Sequence, residues 1–443
     1  MTNRATTKCN QPELAFASCQ NRKVSVNFGG GDISSEGGLV LLREVERKLN
    51  VLGRAAKLID DPRQQGKVDH SAETLLTQRV MALAQGYEDL NDHDRLRHDS
   101  LLQTASGKLS PLASSPTLCR MEHWADKHSA VRINKLLVEL FIESFDTPPE
   151  ELILDFDATD DPTHGNQEGV FFHGYYRHYC FLPLYVFCGS QPLFAWLRPS
   201  NIDGARGAWA ILKMLSKRLR EEWPEVRIIF RGDSGFCRHR MLDWCDNNDI
   251  DYVVGLARNT NVTGQMQFLL DNASLQHKLT GQKQRKFTWL YYGASTWKTP
   301  RTVIGKAEHT DKGSNPRYIV TSLKGDARDI YDRLYCARGD MENRIKEQQL
   351  GLFADRTSSH DWWANQHRLL MSTLAYVLVD GLRRLALCGT SWATKQVSTL
   401  RVSLLKIGAV IVHNTRRIKV MLSGSWPHRD VFIKAHARLR VDA

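Results

Sequence analysis

Carboxylates are the residues through which this sequence could do chemistry. Between Glu151 and Gly169 stand six acids (Glu151, Asp155, Asp157, Asp160, Asp161, Glu168) and no lysine or arginine. The chain as a whole carries 60 Lys and Arg against 49 Asp and Glu, a formal net charge of +11 over 443 residues. An acidic island in so basic a chain points to a cation site. Two further acids are set in patterned segments, Asp233 after VRIIFRG and Glu342 in MENRIKE. Carboxylates forced together repel unless a cation sits between them, and hard divalent ions with oxygen ligands, Mg²⁺ or Mn²⁺, suit such a set. Two such ions about 4 Å apart can activate a water and stabilise a leaving oxygen. That chemistry needs no side-chain nucleophile, so Ser234 reads as a turn residue and the cysteines as bystanders.

Strands must place these acids. ELILDFD, YCFLPLYVFC and PLFAWLR read as three successive strands, rich in aromatic or branched residues and bounded by Gly, Pro or Asn. GARGAWAILKMLSKRLREEW reads as a helix with Trp209, Leu212, Leu215 and Leu219 inward and Pro224 at its end. VRIIFRGD, HRMLDWCDNN and DYVVGLA continue as strand, helix and strand. Three strands followed by alternating helices and strands is the element order of the ribonuclease H-like α/β fold. In that sheet the first and fourth strands are neighbours, which would bring Asp157 and Asp233 to one edge. Asp155 shares a strand face with Asp157, so either could be the first-strand ligand; Asp157, at the strand end and followed by Ala158 and Thr159, is better placed.

The third acid should lie on a helix. Tyr335, Arg338, Glu342, Lys346 and Gln349 fall on one stripe roughly 80° wide at about 100° per residue. Such a face could ligate a metal through Glu342 while Arg338 and Lys346 meet phosphate oxygens. Gly339 inside the stripe weakens the helix and could kink it.

The rest of the chain divides around this core. Residues 1–148 read as a helical DNA-binding region, with helices through LVLLREVERKL, capped by Ser34 or Ser35, through ETLLTQRVMALA, capped by Ser71, and through NKLLVELFIESF. The glycines of FGGGDISSEGG match no phosphate-cradling pattern and read as a joint. Residues 149–258 hold the first part of the core, 259–325 a β-rich insertion, 326–390 the glutamate helix and the helix after it, and 391–443 a basic C-terminal region. The insertion interleaves Trp289, Tyr291, Tyr292 and Trp297 with Lys283, Arg285, Lys286, Lys298 and Arg301, a mixture suited to stacking unpaired bases beside a phosphate track. Either Trp289 or Trp297 could be the stacking ring, and the alternative is that these rings fill the small core of the insertion.

The last 43 residues carry nine cations, Arg416 and Arg417 among them, against two acids, which suits a polyanion such as DNA. Nine cysteines, with no C-x-x-C pair, read as reduced thiols. His164, His173 and His178 with Cys180 fit no closed zinc pattern. The N-terminus lacks a charged start followed by an apolar run, and the longest apolar stretch, Leu369 to Leu387, is broken by Asp380, Arg383 and Arg384. Neither a secretory signal nor a membrane span is expected, and the location expected is the cytosol.

Three phrases together resemble a known family. Tyr335, Arg338 and Glu342 keep the Y-(2)-R-(3)-E-(6)-K spacing of DDE transposases of bacterial insertion sequences, with Gln349 where that pattern has Lys. LDFDATDDPTHG and FRGDSGFC resemble the first- and second-aspartate segments, and GYEDLNDHDRLRHD and MENRIKE resemble the insertion sequence 1380 branch, which has a β-strand insertion before the glutamate. The likeness runs over about residues 20–435. It implies Asp157, Asp233 and Glu342 as catalytic metal ligands for two Mg²⁺ ions, or Mn²⁺ in their place. It implies DNA contacts from Tyr335, Arg338, Lys346 and Gln349, from Trp289 or Trp297 with Lys298, and from Arg416 and Arg417. Its partners would be double-stranded DNA, as terminal inverted repeats and target, and a second copy of the chain in a homodimer on DNA. The reaction implied is hydrolysis at element ends followed by attack of the freed 3′-OH on target DNA. A nuclease of the same fold without strand transfer, or an inactive DNA-binding relative, are the alternatives.

Overall fold

A computed structural model describes residues 13–440; Cys9 and most of the polar leader lie outside them. Its spine is a nine-stranded mixed sheet. Eight of the strands are β1 (Glu151–Ala158), β2 (Leu184–Cys188), β3 (Gln191–Trp196), β4 (Arg227–Gly232), β5 (Asp251–Leu256), β6 (Gln284–Tyr292), β7 (Arg301–Thr310) and β8 (Arg317–Thr321), and the two-residue Gly313–Ser314 pairs with β7. They lie in the order β6-β7-β8-β5-β4-β1-β2-β3. β1, β2 and β3 are successively antiparallel, while β4 runs parallel to β1 and β5 parallel to β4. Strand order 3-2-1-4-5 with only the second reversed is the ribonuclease H-like arrangement.

The period of two along β1 sorts its side chains. Leu152, Leu154 and Phe156 are buried in the core beneath the helices on one face, and Ile153, Asp155 and Asp157 point to the other. Two readings of the strands need correction. YCFLPLYVFC is two strands, His178–Phe181 in a small separate sheet and β2 in the large one, because Pro183 interrupts the ladder between them. The segment after β5 opens with two helices, Thr260–Gln265 and Gln267–Thr280, and its strands extend the main sheet, β8 pairing antiparallel with β5. Alternation in the sequence shows strands; it does not show which edge they join.

The helices that matter are α1 (Leu39–Leu49), α2 (Ala72–Gln85), α3 (Lys127–Ile142), α4 (Ala208–Glu222), α5 (His239–Asn247), α6 (Gln267–Thr280), α7 (Gly339–Lys346), α8 (Trp362–Gly381) and α9 (Arg429–Arg440). α8 is buried along nearly its whole length, packed by α1, α2, α3 and β3, so the N-terminal helices form one core with it rather than a bundle of their own. α4, α5 and α6 cover the opposite sheet face. Among the described residues no helix is long and apolar enough to cross a membrane.

Ser71 caps α2 as expected, accepting from the Thr74 amide at 3.2 Å. Ser34 and Ser35 do not cap α1, whose N-cap is Gly38. Asp32–Ser34 instead pairs with Ala409–Asn414, the first strand of a C-terminal hairpin completed by Arg417–Leu422. A Cβ on Gly38 would lie 1.8 Å from the Leu404 carbonyl oxygen, so only glycine admits this approach of the two chain ends. Trp209 of α4 is 43% exposed, not inward, while Leu212, Leu215 and Leu219 are buried as the helical period requires.

Candidate active site

The parallel ladder between β1 and β4 pairs Arg231 with Asp155 and Gly232 with Phe156. The next residue on each strand is Asp157 and Asp233. The two aspartates therefore leave the sheet side by side, about 5 Å apart in the strand-to-strand direction. Asp233 ends its strand in a tight turn, its Oδ1 accepting from the Gly235 amide at 2.8 Å. Asp157 Oδ1 accepts from the Ala158 amide at 3.0 Å.

Asp155 is differently placed. Its carboxylate takes a two-pronged bond from Arg231, with Nη2 to Oδ2 at 2.5 Å and Nε to Oδ1, and both side chains are under a tenth exposed. Arg231 Nη1 also donates to the Leu334 carbonyl at 2.5 Å. The pair joins β1, β4 and the segment leading to Tyr335, and leaves Asp155 no spare oxygen facing solvent. The sequence reading missed Arg231; an arginine in the middle of an otherwise apolar strand was the available signal.

Glu342 arrives on a segment that is not one regular helix. Ile330–Tyr335 and Glu347–Gly351 are π-helical, Cys336–Arg338 is a 3₁₀ turn, and α7 begins at Gly339, where the sequence anticipated a kink. A uniform stripe is thus an approximation, but its members still meet the strand ends. Arg338 Nη2 holds Glu342 Oε1 at 2.6 Å. A Cβ on Gly255 would lie 2.7 Å from both the Tyr335 hydroxyl and the Ser234 amide, so Tyr335 sits over the second-aspartate turn. Gln349 Nε2 donates to the Asp160 carbonyl at 2.9 Å, fastening the glutamate segment to the loop after Asp157. Lys346 is exposed and makes no ion pair among the described residues.

Electrostatics ties these groups into one neighbourhood. Burial pushes the Asp157 carboxyl up to about 7; Arg338 opposes the rise, and the charges of Asp233 and Glu342 add to it. Tyr176 is driven up to about 12, chiefly by burial, with Asp160 and Asp157 adding to the rise. The donor set fits a hard divalent ion: three carboxylates, with no thiolate or imidazole among them, one of them, Asp157, raised chiefly by burial and further by the other two. The carboxylates do not close into a cage, for among the described residues no three His, Cys, Asp or Glu side chains are gathered closely enough to hold a metal ion. Glu342 is drawn to Arg338 instead.

The remaining candidates are scattered. Trp289 stands 37% exposed on β6, whereas Trp297 is partly buried against Tyr292 and beneath Arg301. Most cations of this segment are spent on acids: Lys283 and Lys306 on Glu308, Arg285 on Asp332, Arg301 on Asp243 and Asp246. They form no continuous phosphate track. Among the described residues Lys298 is exposed and without an ion pair, as are Arg416 and Arg417 at the tip of the C-terminal hairpin. His178 pairs with Asp160 at 2.9 Å, and His173 Nδ1 accepts from the Tyr176 amide, so neither joins Cys180 around a metal.

A family model described as transposase DDE domain group 1 matches residues 16–442. No curated protein sequence matches the chain. Among solved structures, the piggyBac transposase in its synaptic complex with hairpin DNA is similar at 11% identity and a TM-score of 0.45, over 89% of this chain and 81% of that one. DDE transposases act on DNA and generally use divalent metal ions. With the family match spanning nearly the whole chain, the protein belongs to the DDE transposases of domain group 1 and is a DNA transposase.

Proposed function

We propose that the protein cleaves the ends of its own element and transfers the resulting 3′-OH strand into target DNA, with Asp157, Asp233 and Glu342 holding two Mg²⁺ ions, or Mn²⁺ in their place. The observation that carries this is the β1–β4 register, which sets Asp157 beside Asp233 at one sheet edge, with Glu342 close enough to raise Asp157 further. When bound, the ions supply activation of water and stabilisation of the leaving oxygen. The chain's own residues do the positioning. Arg338 offers a planar fork of donors that matches a phosphate as well as it matches Glu342. Lys346 places a free ammonium one helical turn further on, and Tyr335 covers the turn of Asp233. Gln349 serves as a tether for this segment, and its contact with DNA would follow only if that tether opens.

Arg416 and Arg417, on a hairpin tip, and Lys298 extend the positive surface toward the terminal repeats and target DNA. Synapsis of two ends calls for a homodimer on DNA, and the working location is the bacterial cytoplasm, at the nucleoid. The test uses purified protein, a DNA end carrying a 3′-OH, a plasmid target and Mg²⁺. Joined products are expected from the wild type and none from Asp233→Asn or with EDTA. Nicking without joining would remove strand transfer, and equal activity of Asp233→Asn would remove the carboxylate assignment.

A further inference from the structure

A cavity of about 820 Å³ that the catalytic reading does not use lies between the loop before α4 and α5. Its volume falls in the range of sites for molecules the size of a nucleotide. Its walls are the loop before α4, the start of α5 and Lys298. It neighbours the sheet edge where the aspartates end, on the face covered by α4 and α5, opposite to the one Asp157 points to. Gly204 in the first loop approaches Ala158, next to Asp157, and Arg238 follows the turn begun by Asp233.

Two tryptophans furnish the cavity. Trp209 and Trp244 stand edge to face, centroids 6.5 Å apart at 90°, so one presents a ring face where the other closes a wall. Trp209 is 43% exposed at a helical position where the sequence pattern called for an inward ring. A large aromatic held open beside a cavity, with only the Lys213 ammonium 5.6 Å from its ring, has surface left to stack. The charges are sorted as well. Of the lining acids, Asp203 is neutralised by Arg238 at 2.5 Å and Asp243 by Arg301 at 2.6 Å. Among the described residues Arg206, Arg240 and Lys298 have no acidic partner. The cavity therefore combines stacking rings with surplus positive charge, the pairing that holds an unpaired base and its phosphates.

We propose that this cavity binds an unpaired nucleotide of a DNA strand, its base stacked on the Trp209–Trp244 pair and its phosphates met by Arg206, Arg240 and Lys298. The inference rests on the DNA-cleaving reading of the neighbouring carboxylates, for it names where a strand leaving that site would lodge. It moves the stacking ring from Trp289 or Trp297 to this side of the sheet.

The test titrates full-length protein, in EDTA, into fluorescein-labelled oligothymidylate of about eight nucleotides, and separately into a blunt duplex. Trp209→Ala is expected to weaken oligothymidylate binding by about tenfold, in line with one lost stacking contact, and to leave the blunt duplex unchanged. Arg240→Ala with Lys298→Ala is expected to weaken it too and to flatten its salt dependence. Trp209 is half in solvent, and an unchanged urea midpoint for Trp209→Ala verifies that the variant folds. Oligothymidylate affinity unchanged in Trp209→Ala overturns the proposal, as does an equal loss on the blunt duplex. The oligothymidylate titration is run without metal and reads binding alone, whereas the cleavage assay reads metal-dependent products. Failure of the metal-dependent cleavage assay and failure of this one are therefore separate results.

Discussion

Replacing the two β1 aspartates one at a time should separate stability from catalysis. Asp155 is locked to a buried Arg231, with side chains 4% and 8% exposed. Removing one partner of a buried pair strands the other charge and costs about 3–5 kcal/mol. Asparagine keeps one oxygen as acceptor, so Asp155→Asn should fall near the lower end, about 3 kcal/mol, and Asp155→Ala higher. At an m-value near 3 kcal/mol/M the asparagine variant should unfold about 1 M earlier in urea. Asp157→Asn should behave oppositely. Its carboxyl is pushed up to about 7 by burial and by Asp233 and Glu342, so a neutral isostere relieves repulsion and the urea midpoint should hold or rise at pH 8. Metal-dependent cleavage should vanish in Asp157→Asn and persist in folded Asp155→Asn at low temperature. The reasoning is refuted if Asp155→Asn is as stable as wild type yet inactive while Asp157→Asn still cleaves.

Gly255→Ala should lower cleavage by about tenfold or more and also lower the urea midpoint, because its methyl would press on the Ser234 backbone and the Tyr335 hydroxyl at the second-aspartate turn; wild-type rates would contradict this. Glu308 is opposed by burial, yet hydrogen bonds from Lys283 and Lys306 win and hold its carboxyl down at about 2. A lowered acid contributes stability that is complete above its unfolded value near 4.5 and is lost as pH falls toward 2. The stability gap between wild type and Glu308→Gln, read by urea titration, should therefore shrink between pH 5 and pH 2. Lys283→Ala should leave the salt slope of duplex DNA binding unchanged, since its ammonium already meets Glu308 at 2.9 Å, whereas Arg416→Ala with Arg417→Ala should reduce that slope by about two units.

Local pattern carried much of this protein. The period of two in ELILDFD and the period of 3.6 in AWAILKMLSKRL are set by backbone geometry and burial, so β1 and α4 could be read directly. The five-strand order followed from the sequence of element types, because right-handed crossovers leave few alternatives. The Y-(2)-R-(3)-E spacing likewise placed Arg338 one turn from Glu342, where the two are bonded.

What the sequence could not determine is what each charge meets. Asp155 and Asp157 are equivalent to any periodic reading; the partner on β4 distinguishes them, and Arg231 lies 76 residues away in sequence. Lys283, Arg285 and Arg301 look like a DNA surface until the fold delivers Glu308, Asp332 and Asp243 to them. Trp209 looks like core until the loop before α4 and the start of α5 leave a cavity at its side. Residue type and spacing fix which elements form. Pairing of charges and the opening of cavities depend on contacts between distant segments, and those exist only once the sheet has brought the segments together.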